Sequence, residues 1–320
     1  MDECILTMGS GSSFSNTVLR EIASRLLSQR GLDPLVTDLV AFTDEEYHKV
    51  YTAYCVTTQS AGRYVLKRAQ EATELRTYRE ILQPADPTPI LLAYECVGDG
   101  MCWLLLEYAG DEDIRDMDLS CHEAAARALA ELHAHHWGMD GSSSPLLTLS
   151  HEHFRSQRRF LDSYQPKPGD ADRQQLISLQ ADISTRLSDI PLTVVHGDLL
   201  SMNIVHDDDG AVTIVDWGAT MIGSYARDLG RWLGDLRNDN AVGWVPEPWV
   251  EPVLRAYYER QCQLLGDRWR TWDGMLEDVA YGRCLNYLVI VLSHLKHDWS
   301  RGEWYQANLT ALGAITESCG

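Results

Sequence analysis

The sequence predicts an α+β chain in which a small antiparallel β lobe is followed by a larger, mainly helical lobe. Segments rich in β-branched and aromatic residues dominate residues 35–110. Longer segments with apolar residues at helical spacing dominate the rest of the chain. The exception is a hairpin predicted near residue 205, inside the helical half. We therefore expect a first lobe over residues 1–106, a hinge at 107–110 and a second lobe over 111–320.

The elements of the first lobe follow from periodicity and turn residues. Residues 16–30 carry apolar side chains at helical spacing, and Gly31 ends that helix. A second helix is predicted from about Glu71 to Leu82. The predicted strands are LVTDLVAF (35–42), HKVYTAYCVTT (48–58), RYVLKRA (63–69), PILLAYECV (89–97) and MCWLLLEYAG (101–110). In the second lobe we predict helices at 121–138, 151–163, 171–188, 247–266 and 273–297.

Charge and composition exclude several classes of function. The formal net charge of -20 repels nucleic acid and anionic lipid surfaces, and it favours a cationic ligand or simple solubility. No basic stripe is present, so a nucleic-acid partner is not expected. The apolar stretch YLVIVL (287–292) is too short to span a bilayer. The 8 cysteines form no CxxC pair and the N-terminal segment has no basic region, so we expect a cytoplasmic protein with reduced thiols and no membrane partner.

The segment VVHGDLLSMNIV, residues 194–205, places three polar side chains in a strand-like context: His196, Asp198 and Asn203. A buried polar group without a partner costs about 1–3 kcal/mol, so these groups must be satisfied by one another, by a ligand, or by both. The Asp209–Gly210 pair that follows is a strong hairpin signal. A two-residue turn there places Asn203 directly opposite Asp216, whereas a bulged loop shifts this register by one residue.

The residue types of the polar side chains in this segment and its hairpin point to phosphoryl transfer. The side-chain oxygens of Asn203 and Asp216 suit Mg²⁺ in a shallow site. Asp198, on the loop before the hairpin, is placed to accept the proton of a hydroxyl aligned on a phosphate, and His196 is expected to position that loop. His-x-Asp, then Asn five residues after the Asp, then Asp-x-Gly is the catalytic arrangement of the kinase fold.

A kinase also needs a strand lysine for the phosphates and a helix glutamate to hold that lysine. Lys67 ends the apolar strand YVLKRA. Three acids in the next helix compete as its partner, and we choose Glu74 because Glu80 falls on the outward face and Glu71 is very close to Lys67 in sequence.

The adenine base would meet backbone at WLLLEYAG, where the carbonyl of Glu107 and the N–H of Ala109 are the expected contacts.

Together these segments resemble the aminoglycoside phosphotransferase and choline kinase-like family of small-molecule kinases. The resemblance is carried, in the family's order, by YVLKRA, ELRTYREIL, WLLLEYAG, ALAELHAHHWG, VVHGDLLSMNIV, IVDWGA and YARDLGRWLGD. It implies a two-lobed protein-kinase-like fold whose first lobe binds nucleotide, with transfer from ATP or GTP to a hydroxyl. It also implies Asp198 as catalytic base, Asn203 and Asp216 as magnesium ligands, Lys67 on the phosphates, and Asp228 as a residue that positions the catalytic loop.

Two departures from the kinase pattern bear on function. The phosphate-covering loop FTDEEYHKVY (42–51) contains no glycine and carries three acids, whose charge Lys49 partly offsets at the nucleotide. Gly197 stands where protein kinases carry the arginine that responds to activation-loop phosphorylation. Few residues separate Asp216 from the next helix, which is predicted to start near Tyr225, so no peptide-binding segment fits between them. A small molecule is therefore the expected substrate.

The substrate is left open by the sequence. The acceptor is expected to be a small polar molecule, and the net charge favours a cation. An aminoglycoside-like antibiotic, which would imply a role in antibiotic resistance, and a choline, sugar or amino-alcohol metabolite are alternatives. A nucleotide-binding pseudokinase and a kinase acting on protein side chains also stay open. We expect a monomer or a homodimer.

Overall fold

The computed structural model describes residues 14–44, 49–141, 154–167, 170–207, 210–234, 245–299 and 302–319. The chain divides into two compact units. The first runs to Gly110 and also includes the later segment Val215–Ala219, and the second comprises Asp111–Ile214 and Thr220–Gly320. The division after Gly110 falls at the end of the predicted hinge, whereas the return of Val215–Ala219 to the first unit was not predicted.

The first unit is built on an antiparallel sheet of five strands in the order β1-β2-β3-β5-β4. The strands are β1 Val36–Asp44, β2 Lys49–Thr58, β3 Arg63–Gln70, β4 Leu91–Gly98 and β5 Met101–Glu107. Between β4 and β5, Gly98, Asp99 and Gly100 all adopt positive φ, so the turn predicted at these glycines is a left-handed one. The five predicted strands are confirmed, with ends that move by up to three residues.

Helix α1, Asn16–Gln29, covers one side of this sheet. The Ser15 side chain caps its first turn by accepting from the Val18 N–H, and Gly31 follows its end with φ 67°. Buried α1 side chains pack against sheet residues in one hydrophobic core. Members of this core include Leu19, Ile22, Leu26, Leu27, Val56, Leu66, Trp103 and Leu105. Each fully buried side chain of this size contributes about 1.5–3 kcal/mol.

The segment predicted as a helix over 71–82 is helical, but its turns are wider than those of an α-helix. It consists of two π-helical segments, Glu71–Leu75 and Thr77–Ile81. The Leu82 N–H, for example, donates to the carbonyl of Thr77, five residues earlier. Such turns are rare and concentrate at functional sites.

The second unit is mainly helical. Its helices are α2 Leu119–His135, α3 Phe154–Ser163, α4 Arg173–Ser188, α5 Ala226–Leu233, α6 Glu247–Leu265, α7 Trp272–Lys296 and α8 Glu303–Cys319. Its short strands are β6 Glu112–Asp113, β7 Thr193–Val195, β8 Ile204–His206, β9 Val212–Ile214 and β10 Met221–Gly223. The five helices predicted in this lobe are present, and α5 is the helix expected soon after Asp216, whereas α8 was not predicted.

Of the two registers predicted for the β8–β9 hairpin, the structure has the one shifted by one residue. His206 pairs with Val212, whereas a two-residue turn at 209–210 requires it to pair with Thr213. The reason lies in the loop, where the Asp207 carboxylate accepts from the Ala211 N–H at 2.7 Å and the Asp207 N–H donates to the Ala211 carbonyl at 3.0 Å. These bonds close a longer loop, of which Asp208 and Asp209 lie outside the described residues. The partner position of Asn203 is therefore shifted by one from Asp216.

Two glycines allow α5 to pack closely against α7. A Cβ added at Gly230 would overlap the backbone of Gly282, and one added at Gly282 would overlap the carbonyl of Ala226. Because these contacts are backbone to backbone, neither glycine can be replaced without moving a helix. The pair therefore fixes the position of α5, which carries several polar side chains described below.

Within the described part of the chain, no helix combines the length and apolar character needed to cross a membrane. The predicted apolar stretch at 287–292 lies inside α7, whose buried residues pack within the second unit.

Candidate active site

Lys67 is the centre of an ion-pair cluster in the first unit. It lies near the end of β3, opposite Ala53 of β2 and Leu104 of β5. Its Nζ donates to Glu74 Oε1 at 2.6 Å and to Asp216 Oδ1 at 2.6 Å. The Lys67 side chain is 17% exposed and that of Glu74 only 4%. One largely buried ammonium therefore bridges two carboxylates that are distant in sequence.

Of the three acids that competed for Lys67, the structure places Glu74 against it. Glu74 is buried within the first π-helical segment, while Glu71 and Glu80 are both exposed. The wide turn of this segment aims the Glu74 side chain at the sheet, where β3 presents Lys67.

The carboxylate of Asp216 reaches Lys67 from a strained backbone. Asp216 has φ 66°, in the left-handed region that few residues other than glycine adopt, and Asp is among those that tolerate it. The 3₁₀ turn Trp217–Ala219 follows directly, and Trp217 is fully buried. Backbone strain of this kind costs about 1–3 kcal/mol and concentrates at functional sites.

The charge state of the cluster follows from its composition. Burial by itself would lower the pKa of Lys67, but the carboxylates of Asp216 and Glu74 outweigh burial and raise that pKa above its ordinary value. Lys67 is therefore a fixed cation at neutral pH.

In the second unit, the loop after β7 carries Asp198 and Asn203. Asn203 Nδ2 donates to the backbone carbonyl of Asp198 at 2.9 Å, which closes the loop on itself. The Asp198 side chain is 51% exposed, and its Oδ1 accepts from Arg231 Nε at 3.0 Å and Nη2 at 2.9 Å. Gly197, just before Asp198, has φ 86°, so the chain turns sharply at this point.

Asp228 of α5 holds this loop by its backbone. The buried carboxylate accepts from the His196 N–H at 2.8 Å and from the Gly197 N–H at 2.9 Å. His133 Nε2 lies 3.3 Å from the same carboxylate, and His133 Nδ1 lies 2.8 Å from the Tyr257 hydroxyl. Burial would raise the pKa of Asp228, but the hydrogen bond and charge of His133, with further help from His196 and the Gly197 N–H, lower it.

The other predicted site residues occupy the elements expected of them. His196 is fully buried, and its backbone N–H makes the bond to Asp228. Glu107 ends β5 opposite Tyr64, and Ala109 follows in the segment that ends at Gly110. Lys49 begins β2, but its side chain and residues 45–48 lie outside what the structure describes. The nucleotide contacts of Lys49, Glu107 and Ala109 stay predictions.

Sequence reasoning missed the partner of Asp198 and the environment of Asp228. Arg231 follows Asp228 by three residues, so helical spacing alone puts both side chains on neighbouring faces of α5. That spacing was the available signal. For His133, no signal was available, since a histidine in a helix has no recognisable partner 95 residues away.

Comparison with known protein families gives a match that covers most of the chain. Residues 50–275 match the model of the phosphotransferase enzyme family. Comparison with curated proteins finds no significant match by sequence.

Solved structures share the fold over nearly the whole chain. Choline kinase LicA from Streptococcus pneumoniae is 15% identical, with a TM-score of 0.58 and coverage of 94% of this chain and 99% of that one. A choline/ethanolamine kinase family protein from Mesorhizobium loti is 16% identical, with a TM-score of 0.61 and coverage of 93% and 94%. A thermostable mutant of aminoglycoside phosphotransferase APH(4)-Ia, in complex with ADP and hygromycin B, is 15% identical, with a TM-score of 0.55 and coverage of 93% and 98%.

These matches confirm the predicted protein-kinase-like fold, with an antiparallel first lobe and a helical second lobe. At this level of identity the solved structures establish the fold, and the family model establishes the enzyme class. The chain belongs to the phosphotransferase enzyme family and is a small-molecule kinase.

Proposed function

We propose that this protein transfers the γ-phosphate of ATP or GTP to a hydroxyl of a small polar molecule, with Mg²⁺ as cofactor. The observation that carries the proposal is the cluster of Lys67, Glu74 and Asp216, in which one cation is held by two carboxylates. In phosphoryl transfer a lysine of this kind stabilises phosphate charge while a glutamate keeps it in place. Glu74 supplies that second role here because it is buried and aimed at Lys67.

Asp198 is the proposed catalytic base. Its half-exposed carboxylate is accessible to a substrate hydroxyl, and the loop that carries it is held at two backbone N–H groups by Asp228. Such a carboxylate orients the attacking hydroxyl and accepts its proton during in-line displacement. His196 contributes by its backbone, as part of the same held loop.

The residues proposed as metal ligands fit a hard divalent cation. Asp216 offers carboxylate oxygens, and Asn203 uses its amide nitrogen as a donor to Asp198, which leaves its amide oxygen to face a cation. Oxygen donors of these two types are the ones Mg²⁺ prefers. When bound, the ion would neutralise charge on the phosphates. Asp216 would then exchange part of its contact with Lys67 for the ion.

The substrate proposal follows from the chain segment after Asp216. Only the turn Trp217–Ala219 and strand β10 separate Asp216 from α5. This path has no room for a peptide-binding segment, which supports a small-molecule acceptor over a protein side chain. Solved relatives carry the names of choline kinases and aminoglycoside phosphotransferases, so an aminoglycoside-like antibiotic and an amino-alcohol, choline or sugar metabolite are the acceptor classes to test.

The competing candidate is a nucleotide-binding pseudokinase. The feature that favours it is the glycine-free, acidic loop FTDEEYHKVY, because backbone N–H groups of glycine-rich loops normally grip the phosphates. It predicts nucleotide binding without turnover.

The test is nucleotide turnover with Mg²⁺ and either ATP or GTP, across aminoglycosides, other hydroxylated antibiotics, choline and sugars. Asp198→Ala serves as the blank, since it removes the proposed base and leaves the Lys67 cluster in place. Turnover above this blank with one compound class supports the proposal and identifies the acceptor class. Mg²⁺-dependent nucleotide binding with turnover equal to the blank on every compound supports the pseudokinase, and absence of nucleotide binding contradicts both.

A further inference from the structure

Two arginines lie one helical turn apart on α5, beside the proposed catalytic base. Arg227 and Arg231 are separated by four residues, which places both on one face of the helix. Arg231 contacts Asp198 Oδ1 through two of its nitrogens, at 3.0 and 2.9 Å. The face of α5 directed at Asp198 therefore carries two positive charges.

Arg227 is the unusual member of this pair. Its side chain is buried, and its Nε and Nη1 have no hydrogen-bond partner among the residues that the structure describes. Burial and the neighbouring Arg231 lower the pKa of Arg227 to about 10, which still leaves the guanidinium protonated at neutral pH. A buried cation without a hydrogen-bonded anion costs several kcal/mol, so an anionic partner is expected.

The two carboxylates that act on Arg227 within the described residues are already engaged. Asp228, next to Arg227 in sequence, accepts from the His196 and Gly197 N–H groups and from His133. Asp198 accepts from Arg231. Both acids act on Arg227 through their charge, but the hydrogen-bond donors of Arg227 are not used by either. Because no residue in the described part of the chain supplies the missing anion, we take it to come from a ligand.

We propose that Arg227 and Arg231 form an anion-binding subsite beside Asp198, so that the hydroxyl compound phosphorylated by this enzyme carries a carboxylate or phosphate group. The inference rests on the proposed function, because it takes Asp198 as the catalytic base. Arg227 would bind the anionic group of the acceptor, and Arg231 would share it while keeping Asp198 in place. Guanidinium groups match both anions in geometry.

An anionic acceptor is the opposite of what the net charge of -20 favours. The charges close to Asp198 decide which acceptor is bound, because at physiological ionic strength the field of distant surface acids is screened over about 8 Å. A buried guanidinium is screened far less than those acids. A polycationic acceptor placed against Asp198 would meet two like charges on α5.

Direct binding of matched polyols tests the proposal. The protein is first saturated with Mg²⁺ and the non-hydrolysable analogue AMP-PNP, so that added anions cannot occupy the nucleotide phosphate site. It is then titrated calorimetrically, at constant ionic strength, with sorbitol, gluconate, sorbitol 6-phosphate and glucamine. These probes share a polyol chain and differ in their terminal group, which is neutral, carboxylate, phosphate or cationic. We expect an anionic probe to bind at least about tenfold more tightly than sorbitol.

Variants then assign the preference to α5. Arg227→Gln should abolish the difference between the anionic probe and sorbitol, and Arg227→Lys should restore part of it. Arg255→Gln is the control, since Arg255 is partly exposed on α6 and stacks on Trp272. If Arg227→Gln fails to fold, the four-probe comparison on the unmodified protein still decides the question.

The outcomes separate this inference from the proposed function. Tighter binding of gluconate alone or of sorbitol 6-phosphate alone identifies the anion, and either result supports the subsite. Binding of both anions that is equal to or weaker than that of sorbitol overturns the subsite. If glucamine then binds, or cationic compounds are phosphorylated, the kinase proposal stands with a cationic acceptor. Failure of AMP-PNP to bind with Mg²⁺ overturns the proposed function itself.

Discussion

Replacing Lys67 by methionine tests the ion-pair cluster most directly. The change keeps the length of the side chain and removes its charge, so Glu74 stays buried without its cation. Breaking a buried pair by removing one partner costs about 3–5 kcal/mol. The Lys67 and Glu74 side chains are 17% and 4% exposed, so this range applies to them. The Asp216 side chain is 49% exposed, and solvent screening limits its share to about 1 kcal/mol or less.

The loss in Lys67→Met should depend on pH. In the variant the buried carboxyl of Glu74 has no nearby cation, so its folded-state pKa rises above the unfolded value of about 4.3. A carboxyl group whose pKa is raised in the folded state lowers the free energy of unfolding progressively as pH rises above the pKa of the unfolded state. The difference in free energy of unfolding between wild type and variant should therefore be small near pH 4 and reach its full size near pH 7.

The assay is urea-induced unfolding from pH 4 to 8, followed in parallel by tryptophan fluorescence and far-UV circular dichroism. Coincident transitions are required before free energies are compared, because the chain has two compact units. The double variant Lys67→Met/Glu74→Gln is the control and should recover most of the loss, since it no longer buries a charge. A loss that is the same at every pH, or that persists in the double variant, would refute an electrostatic origin.

Three further predictions concern the second unit. Asp198→Ala should lower kcat by about 10²–10⁴-fold in steady-state turnover, whereas the nucleotide affinity measured by titration should not change. A loss of nucleotide affinity as large as the loss of kcat would argue against the proposed role of Asp198 as base. Asp228→Asn should lower the free energy of unfolding by about 1–3 kcal/mol at pH 7, because two backbone N–H groups lose their charged acceptor. Since the pKa of Asp228 is lowered in the fold, its contribution is present above about pH 4 and is lost as pH falls through the folded-state pKa, so urea unfolding near pH 3 should show a smaller difference. Gly282→Ala should lower the free energy of unfolding by about 3 kcal/mol or more, because its Cβ overlaps the Ala226 carbonyl. The control Gly313→Ala, in open space on α8, should be neutral or stabilising by up to about 1 kcal/mol. Similar melting temperatures for the two variants would contradict the close packing of α5 against α7.

Local patterns were sufficient for most of the elements and for the enzyme class. Alternation and turn residues located the five strands of the first unit, and the spacing of Asp198, Asn203 and Asp216 pointed to phosphoryl transfer. Such patterns work because strand and helix periods, and the residue types that bind phosphate and metal, are properties of a short segment. The choice of Glu74 over Glu80 also followed from the faces of the predicted helix on which the two residues lie.

Other features depended on contacts between distant segments. The backbone of Asp216 adopts a left-handed conformation, and its segment belongs to the first unit. Neither feature is predicted by the neighbouring residues in the sequence. The hairpin register was decided by the Asp207 carboxylate in the loop. The net charge favoured a cationic acceptor, yet the folding of α5 against the loop that carries Asp198 puts Arg231 on Asp198 and leaves Arg227 buried. Sequence alone determined which side chains exist and which face of a helix they share, whereas the tertiary structure decided their partners and burial, because both depend on which remote segments pack together.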